Sequence, residues 1–112
     1  MSSLNRIEII GNIGSEPEMK YTPSAKPVIS FSVACNSKFG DTERTEWFSV
    51  IAWNKLAETC NQYLTIGQQV FVEGRLQTRS WETDGVKHYK TEVIANRVIF
   101  LGSRKQEDEG EF

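Results

Sequence analysis

The stretch 45–55 reads TEWFSVIAWNK, and its composition is that of a β-strand. Side chains of a strand point alternately to its two faces. One face then carries Phe48, Val50 and Ala52, which suffice to cover a hydrophobic core. The opposite face carries Trp47, Ser49, Ile51 and Trp53. A solvated face does not need two tryptophans, so this side of the strand is predicted to have a role beyond the core.

The bulk composition is typical of one globular domain. The chain has 112 residues, of which 38% are hydrophobic and 25% charged. It has no apolar run of the length that crosses a membrane, and its first residues lack the pattern of a secretory signal. We therefore expect an intracellular protein. Two distant cysteines, Cys35 and Cys60, and the single histidine, His88, do not form a zinc-binding set, so free thiols and no metal are expected.

Charge is unevenly distributed along the chain. All 13 lysines and arginines lie within residues 1–105 together with 11 of the 15 acidic residues, so this part has a formal charge of +2. Residues 106–112, QEDEGEF, hold the other four acids and no base. Acidic ends of this kind are often interaction tails, and the alternative is a solubilising end.

Outward from 45–55, the hydrophobic pattern predicts five strands. They are expected over 4–13, 28–37, 45–53, 68–81 and 86–102. The segment 14–27 reads as a loop because it holds three prolines. The segment 38–44 reads as a polar connection around a Gly40-Asp41 turn. Asp84-Gly85 predicts a tight hairpin between the last two strands.

One helix is predicted over 55–65, with Asn54 as its N-cap and Gly67 after its end. The element order is then β-β-β-α-β-β. This is the order of a five-stranded Greek-key OB-fold barrel, an all-β fold with one helix, although other small barrels share it. We predict a single domain over 1–103 and a short acidic tail over 104–112.

Aromatic and basic side chains alternate on the faces that the core does not need. Trp81 shares a strand face with Arg75 and Arg79, as Trp47 and Trp53 share theirs, and Phe39 lies in the connection before them. Single-stranded nucleic acid suits this mixture, because aromatic rings stack on unpaired bases and basic groups follow the phosphates. The alternative is that these aromatics are buried against another subunit.

Other functional classes find little support in the sequence. There is no GxGxxG motif and no P-loop, and GNIG at 11–14 is a weak match to a backbone-clamping loop. His88 has Asp84 nearby but no accompanying nucleophile. We expect neither an enzyme nor a cofactor.

Four segments of the chain, in order, resemble a known family. They are NRIEIIGNIGSEPEMKYTPS, TEWFSVIAWNKLAE, YLTIGQQVFVEGRLQTRSWET and YKTEVIANRVIFL. Over residues 4–101 the chain resembles the bacterial single-stranded DNA-binding proteins, which coat DNA in replication, recombination and repair. The resemblance implies an OB-fold homotetramer without enzymatic activity or cofactor, in the nucleoid-associated cytoplasm.

The resemblance also implies a set of binding residues. The base-stacking residues would be Phe39, Trp47, Trp53 and Trp81. The phosphate contacts would be Arg75, Arg79 and Lys87, with Lys38, Arg44 and Lys55 as further candidates. Replication and repair proteins would contact the tail through Asp108, Glu109, Glu111 and Phe112, although the family's linker and the proline before its final phenylalanine are missing here. The alternative function is an accessory protein–protein module of the primosome type.

Overall fold

Six strands and one helix follow one another in the computed structural model, which describes residues 2–102. In chain order they are β1 (Ile7–Ile13), β2 (Glu18–Tyr21), β3 (Pro27–Phe39), β4 (Thr42–Trp53), α1 (Asn54–Tyr63), β5 (Gln69–Thr83) and β6 (Val86–Gly102).

Five of the strands close into a ring. β1 pairs with β5, β5 with β6, β6 with β4 and β4 with β3. The end of β1 returns to β3, where Asn12 lies opposite Ala34 and Ile13 opposite Val33. The β4–β6 pairing is parallel, and the other pairings of the ring are antiparallel. The predicted all-β barrel with one helix is thereby confirmed.

The core fills the inside of this ring. Its buried side chains include Ile29, Phe31 and Val33 of β3, Val50 and Ala52 of β4, and Val70 and Val72 of β5. Helix α1 adds Ala57 and Cys60. The face of β4 predicted to line the core, with Phe48, Val50 and Ala52, is the one that the structure turns inward, so hydrophobic alternation correctly identified it.

A short strand lies in the segment that was predicted to be a loop, and this part of the prediction was wrong. β2 pairs with the start of β3, with Glu18 opposite Ser30 and Tyr21 opposite Pro27. Met19 packs against the core. The prolines misled the prediction, because Pro27 is the first residue of β3, a position where a strand tolerates proline.

Two further boundaries differ from the prediction. The 38–44 connection is mostly strand, since β3 runs to Phe39 and β4 begins at Thr42, on either side of a two-residue turn. The helix includes Asn54 and ends at Tyr63, and Asn54 is not its N-cap. Instead, Asn54 adopts a positive φ of 57°, which lets β4 turn sharply into α1.

Candidate nucleic-acid interface

The outer face of β4 presents its two tryptophans to solvent. Trp47 is 60% exposed and Trp53 is 40% exposed, whereas Val50 and Ala52 between them are fully buried. Trp47 and Trp53 are six residues apart on one strand, so they lie on the same face. The face that the sequence singled out is therefore an accessible aromatic surface.

Trp47 is held against the main chain of the loop that follows β1. A methyl group added at Gly14 would collide with the six-membered ring of Trp47, at 2.8 Å from Cη2. The amide of Gly14 donates a hydrogen bond to the carbonyl of Ser32, at 2.9 Å. The absence of a side chain at Gly14 therefore lets the indole approach the backbone closely while most of its surface remains exposed.

An open groove of about 690 Å³ runs across the same outer surface. We call it the groove, and it is lined by Ser15, Glu16, Glu18, Ser30, Phe31, Ser32, Ser49, Ile51, Arg79, Lys90 and Glu92. Ser49 and Ile51 lie between the two tryptophans of β4. The lining combines hydroxyl groups and two basic residues, which can donate hydrogen bonds, with three glutamates and apolar surface.

The third tryptophan lies on the long β5–β6 hairpin. Trp81 is 41% exposed, and the guanidinium carbon of Arg79 lies 4.8 Å from the centre of its ring. The imidazole of His88 stacks on Trp81, with 5.5 Å between ring centroids and an interplanar angle of 20°. Arg79 and Trp81 share a strand face, and Arg79 lines the groove, so Trp81 extends the same surface along the hairpin.

A buried carboxylate holds Arg79 in place. The Nε atom of Arg79 donates a hydrogen bond to Oε1 of Glu92 at 3.1 Å, and Nη2 of Arg79 donates to Oε2 of Glu92 at 3.4 Å. Glu92 is only 6% exposed, while the side chain of Arg79 remains half exposed. These two parallel hydrogen bonds fix the plane of the guanidinium. The orientation of its remaining N–H groups is therefore set by Glu92.

The strand register separates the basic residues of the β5–β6 hairpin into two sets. Arg79 lies opposite Lys90, and Trp81 lies opposite His88, on the groove face. Lys87 lies opposite Glu82, which places this predicted phosphate contact on the other face of the hairpin.

The sequence-based prediction did not include Lys90 or His88 among the binding residues. Counting back from the Asp84-Gly85 turn, whose two residues have φ of 51° and 79°, would have placed both.

The remaining predicted contacts lie apart from the centre of the groove. Arg75 shares the strand face of Arg79 and donates to Gln77 at 2.8 Å. Lys38 and Arg44 lie on the exposed β3–β4 hairpin, and Lys55 lies in the first turn of α1. Phe39 is 71% exposed at the tip of that hairpin. Alternation places Lys38 on the face of Trp47, and Phe39 and Arg44 on the other face.

Comparison with known proteins identifies the family. Residues 4–101 match the Single-strand binding protein family, which is nearly the whole of the part that the structure describes. The chain belongs to this family. The resemblance noted from the sequence is thereby confirmed, and so is the expectation that the chain is not an enzyme, because single-strand binding proteins bind DNA without catalysis.

Relatives of the single-strand binding family match this chain over most of its length. It is 44% identical over 108 residues to Single-stranded DNA-binding protein 1 of Chlorobaculum tepidum, covering 90% of this chain and 67% of that relative. It is 38% identical over 114 residues to the Single-stranded DNA-binding protein of Neisseria meningitidis serogroup A, covering 96% and 66%. This chain thus spans about two thirds of the length of these curated relatives.

A solved structure of the single-strand binding family has the same fold. It is the Plasmodium falciparum SSB in complex with ssDNA, which superposes with a TM-score of 0.84 at 33% sequence identity. The match covers 90% of this chain and 97% of that one.

The thiols take no part in the groove. Cys60 is buried in α1, and burial raises the pKa of its thiol to about 11, so it stays protonated. Cys35 donates to the carbonyl of Ile10 at 3.4 Å, and partial burial raises its pKa as well. Among residues 2–102, no three His, Cys, Asp or Glu side chains are grouped to hold a metal ion.

Two further observations concern parts of the sequence outside the groove. No helix within residues 2–102 is long and apolar enough to cross a membrane. The predicted tail residues Asp108, Glu109, Glu111 and Phe112 lie outside the residues that the structure describes.

Proposed function

We propose that this chain binds single-stranded DNA without sequence preference, with bases stacking on Trp47, Trp53 and Trp81 and phosphates contacting the basic residues beside them. The observation that carries the proposal is the shared exposure of these three tryptophans along one outer surface with Arg79 and Lys90. Membership of the single-strand binding family supports it, and implies roles in DNA replication, recombination and repair.

Stacking explains how such a surface can bind any sequence. Every base has a flat π-face, and stacking on an aromatic side chain contributes about 1–3 kcal/mol per base. This range of free energies is a general value for proteins that bind single strands, and not a value for this chain. Because a tryptophan accepts any of the four bases, affinity depends on exposed bases and not on their order.

The two hairpins extend the surface beyond the barrel. We propose that Arg75 and Arg79 on β5 contact phosphates, together with Lys90 on β6. Further contacts would come from Phe39, Lys38 and Arg44 on the β3–β4 hairpin and from Lys55 on α1. Lys87 would contact a strand only where it wraps to the far side of the β5–β6 hairpin, since that is the face on which it lies.

Assembly into a homotetramer is part of the same proposal. An apolar row crosses the outside of β1, β5 and β6, where Ile10 lies opposite Phe71 and Phe71 opposite Ile99. More than half of the surface of Ile10, which belongs to this row, is exposed to solvent. A partly exposed apolar row of this kind favours contact with another copy of the chain. We further propose a cytoplasmic, nucleoid-associated location and contacts between the acidic tail and replication or repair proteins.

The test measures binding of fluorescently labelled oligo-dT by anisotropy. Replacing Trp47, Trp53 and Trp81 together by alanine should weaken binding by about a hundredfold or more, because each ring contributes ~1–3 kcal/mol. The matched control is Tyr89→Ala, which removes an exposed aromatic ring from the opposite face of the β5–β6 hairpin. Thermal melting checks that the variants are folded.

The outcomes separate the proposal from its alternative. Equal binding by the triple variant and the wild type would overturn the stacking mechanism. Failure of the wild type to bind oligo-dT at low salt would overturn single-strand binding altogether. It would favour the primosome-type module, in which the tryptophans contact another protein.

A further inference from the structure

His88 is the chain's only histidine and lies inside the proposed DNA surface. It is opposite Trp81 in the β5–β6 register, and the two rings stack at 5.5 Å and 20°. The residue is exposed to solvent. A base stacked on Trp81 would therefore bring its phosphates close to a side chain that gains a proton under mildly acidic conditions.

Arg79, Lys90 and Glu92 share the groove face of the hairpin with His88, and Glu16 and Glu18 also line the groove. Arg79 packs on the Trp81 ring from β5, and Lys90 is two residues further along β6 on the same face. Glu82 and Lys87 form the neighbouring pair on the opposite face, and Asp84 lies in the turn. Glu92, further along the groove face, is already bonded to Arg79. No ion pair is formed by His88 within residues 2–102, so none of the carboxylates in that range is a partner for its imidazolium.

A DNA phosphate would supply that missing partner. A bound strand brings negative charge to this surface, and a nearby negative charge favours the charged form of an imidazole. Proton uptake by His88 and DNA binding would then reinforce one another, by thermodynamic linkage.

We propose that His88 is a DNA-contacting residue of this surface, and that its imidazolium pairs with a backbone phosphate beside the base stacked on Trp81. The proton comes from solvent, so binding takes up protons in mildly acidic solution. This inference rests on the proposed single-strand binding, and it adds a titrating contact to a site otherwise composed of permanent charges and aromatic rings.

The first test compares oligo-dT binding at about pH 5.5 and about pH 8, on either side of the ordinary imidazole range. Thymine and phosphodiester groups do not titrate in this range, so a change reports on the protein. In the wild type, the slope of log K against log salt should steepen by about 0.7 at the lower pH, the value for one added phosphate contact on a single strand. Affinity should rise about two- to fivefold, as for an exposed ion pair.

Three variants identify the source of the change. His88→Gln removes both the stacked ring and the proton, and His88→Phe keeps a stacked ring without the proton. Both should lose the pH dependence of the salt slope. Tyr89→Phe, on the other face of the hairpin, should retain it. A His88→Phe variant with the full pH dependence of the wild type would overturn the proposal.

A second test observes the proton directly. Because His88 is the only histidine, its Cε1 proton gives a single NMR resonance with which to follow its titration. Saturating oligo-dT should move the titration midpoint upward. An unmoved midpoint in a protein that binds oligo-dT would overturn the role of His88 and leave the proposed function intact. Absence of binding at both pH values would overturn the proposed function itself.

Discussion

Single residues decide whether the aromatic rings can meet a base. Trp47 lies against the backbone of Gly14, Trp81 contacts Arg79 and His88 on its hairpin, and Arg79 is bonded to Glu92. Each ring or guanidinium is thus oriented before DNA arrives, which lowers the entropy lost on binding. Substituting a residue that only positions one of these side chains should therefore lower the affinity for DNA, even though the DNA-facing side chain is unchanged.

Substitution of Gly14 by alanine should displace the Trp47 ring. The added methyl group occupies the space of the indole, which is an exposed side chain that can move away. We expect oligo-dT affinity to fall by ~1 kcal/mol, at the low end of one stacking contact, with the free energy of unfolding changed by less than ~0.5 kcal/mol. Anisotropy titration and thermal melting measure the two quantities.

A double-mutant cycle supplies the control for Gly14. In a Trp47→Ala background, Gly14→Ala should cause no further loss of affinity, because the ring it displaces is already gone. Additive losses from the two substitutions would show that Gly14 acts through another part of the site.

Lys90 and Lys87 provide a matched pair on the two faces of one hairpin. Lys90 lies opposite Arg79 on the groove face, and Lys87 lies opposite Glu82 on the other. Lys90→Gln should reduce the salt slope of oligo-dT binding by about 0.7, and Lys87→Gln should reduce it by less. The measurement is a titration with short oligo-dT, which cannot wrap around the hairpin, at several salt concentrations. A larger effect of Lys87→Gln would contradict the face assignment.

At the scale of elements, the barrel depends on how closely β1 approaches β3. The pairing of Asn12 and Ile13 with β3 closes the ring, and Gly11 lies just before it. A methyl group at Gly11 would collide with the carbonyl oxygen of Ala34 and the side chain of Val33. Unlike the ring next to Gly14, a backbone carbonyl in a paired strand has little freedom to move away.

Gly11→Ala should therefore destabilise the fold, while Gly14→Ala should not. Overpacking of this kind costs about 1–3 kcal/mol, so we expect a corresponding decrease in the free energy of unfolding by denaturant titration. The control is Gly40→Asn in the β3–β4 turn, where φ is +60° and nothing lies within 4 Å. Asparagine tolerates that conformation, so this variant should remain near wild-type stability. An unaffected Gly11→Ala variant would contradict a tight β1–β3 closure.

Strand faces could be predicted from the sequence because burial on one side imposes strict alternation. Phe48, Val50 and Ala52 were correctly placed inward on that basis. β2 could not be predicted, since only Met19 of its four residues packs against the core and no alternation is visible. Helix α1 was displaced by one or two residues at each end, because Asn54 serves the turn from β4 through its backbone conformation.

Residues of the proposed site were predictable where they lie on the same strand as a recognisable pattern. The outward-facing positions of Trp47, Trp53 and Trp81 were predicted in this way, and all three are exposed. His88 and Lys90 depend on which residues of β6 lie opposite β5, and this pairing is set by the two-residue turn at Asp84-Gly85. The Asp84-Gly85 turn can be recognised in the sequence. The residues of β5 and β6 that lie opposite each other can then be assigned only by counting along both strands from this turn. The Glu92–Arg79 pair needs three-dimensional packing, because nothing in sequence shows that this carboxylate is buried.

For the whole molecule, the barrel and its two hairpins form a continuous outer surface. The long axis of the described part measures 50 Å, against 36 and 35 Å in the other directions. The paired residues of β5 and β6 continue well past the buried part of the barrel. Because Trp47, Trp53 and Trp81 are all exposed, a strand of DNA could contact them without entering an enclosed pocket.

The most direct test of the account is a titration of intrinsic tryptophan fluorescence with oligo-dT at low and high salt, with solution mass recorded alongside. All three tryptophans lie on the proposed surface, so the signal comes entirely from the side chains in question. We predict strong quenching at low salt that weakens as salt rises, on a tetramer. An unquenched signal at low salt would contradict the claim that these tryptophans stack on DNA bases.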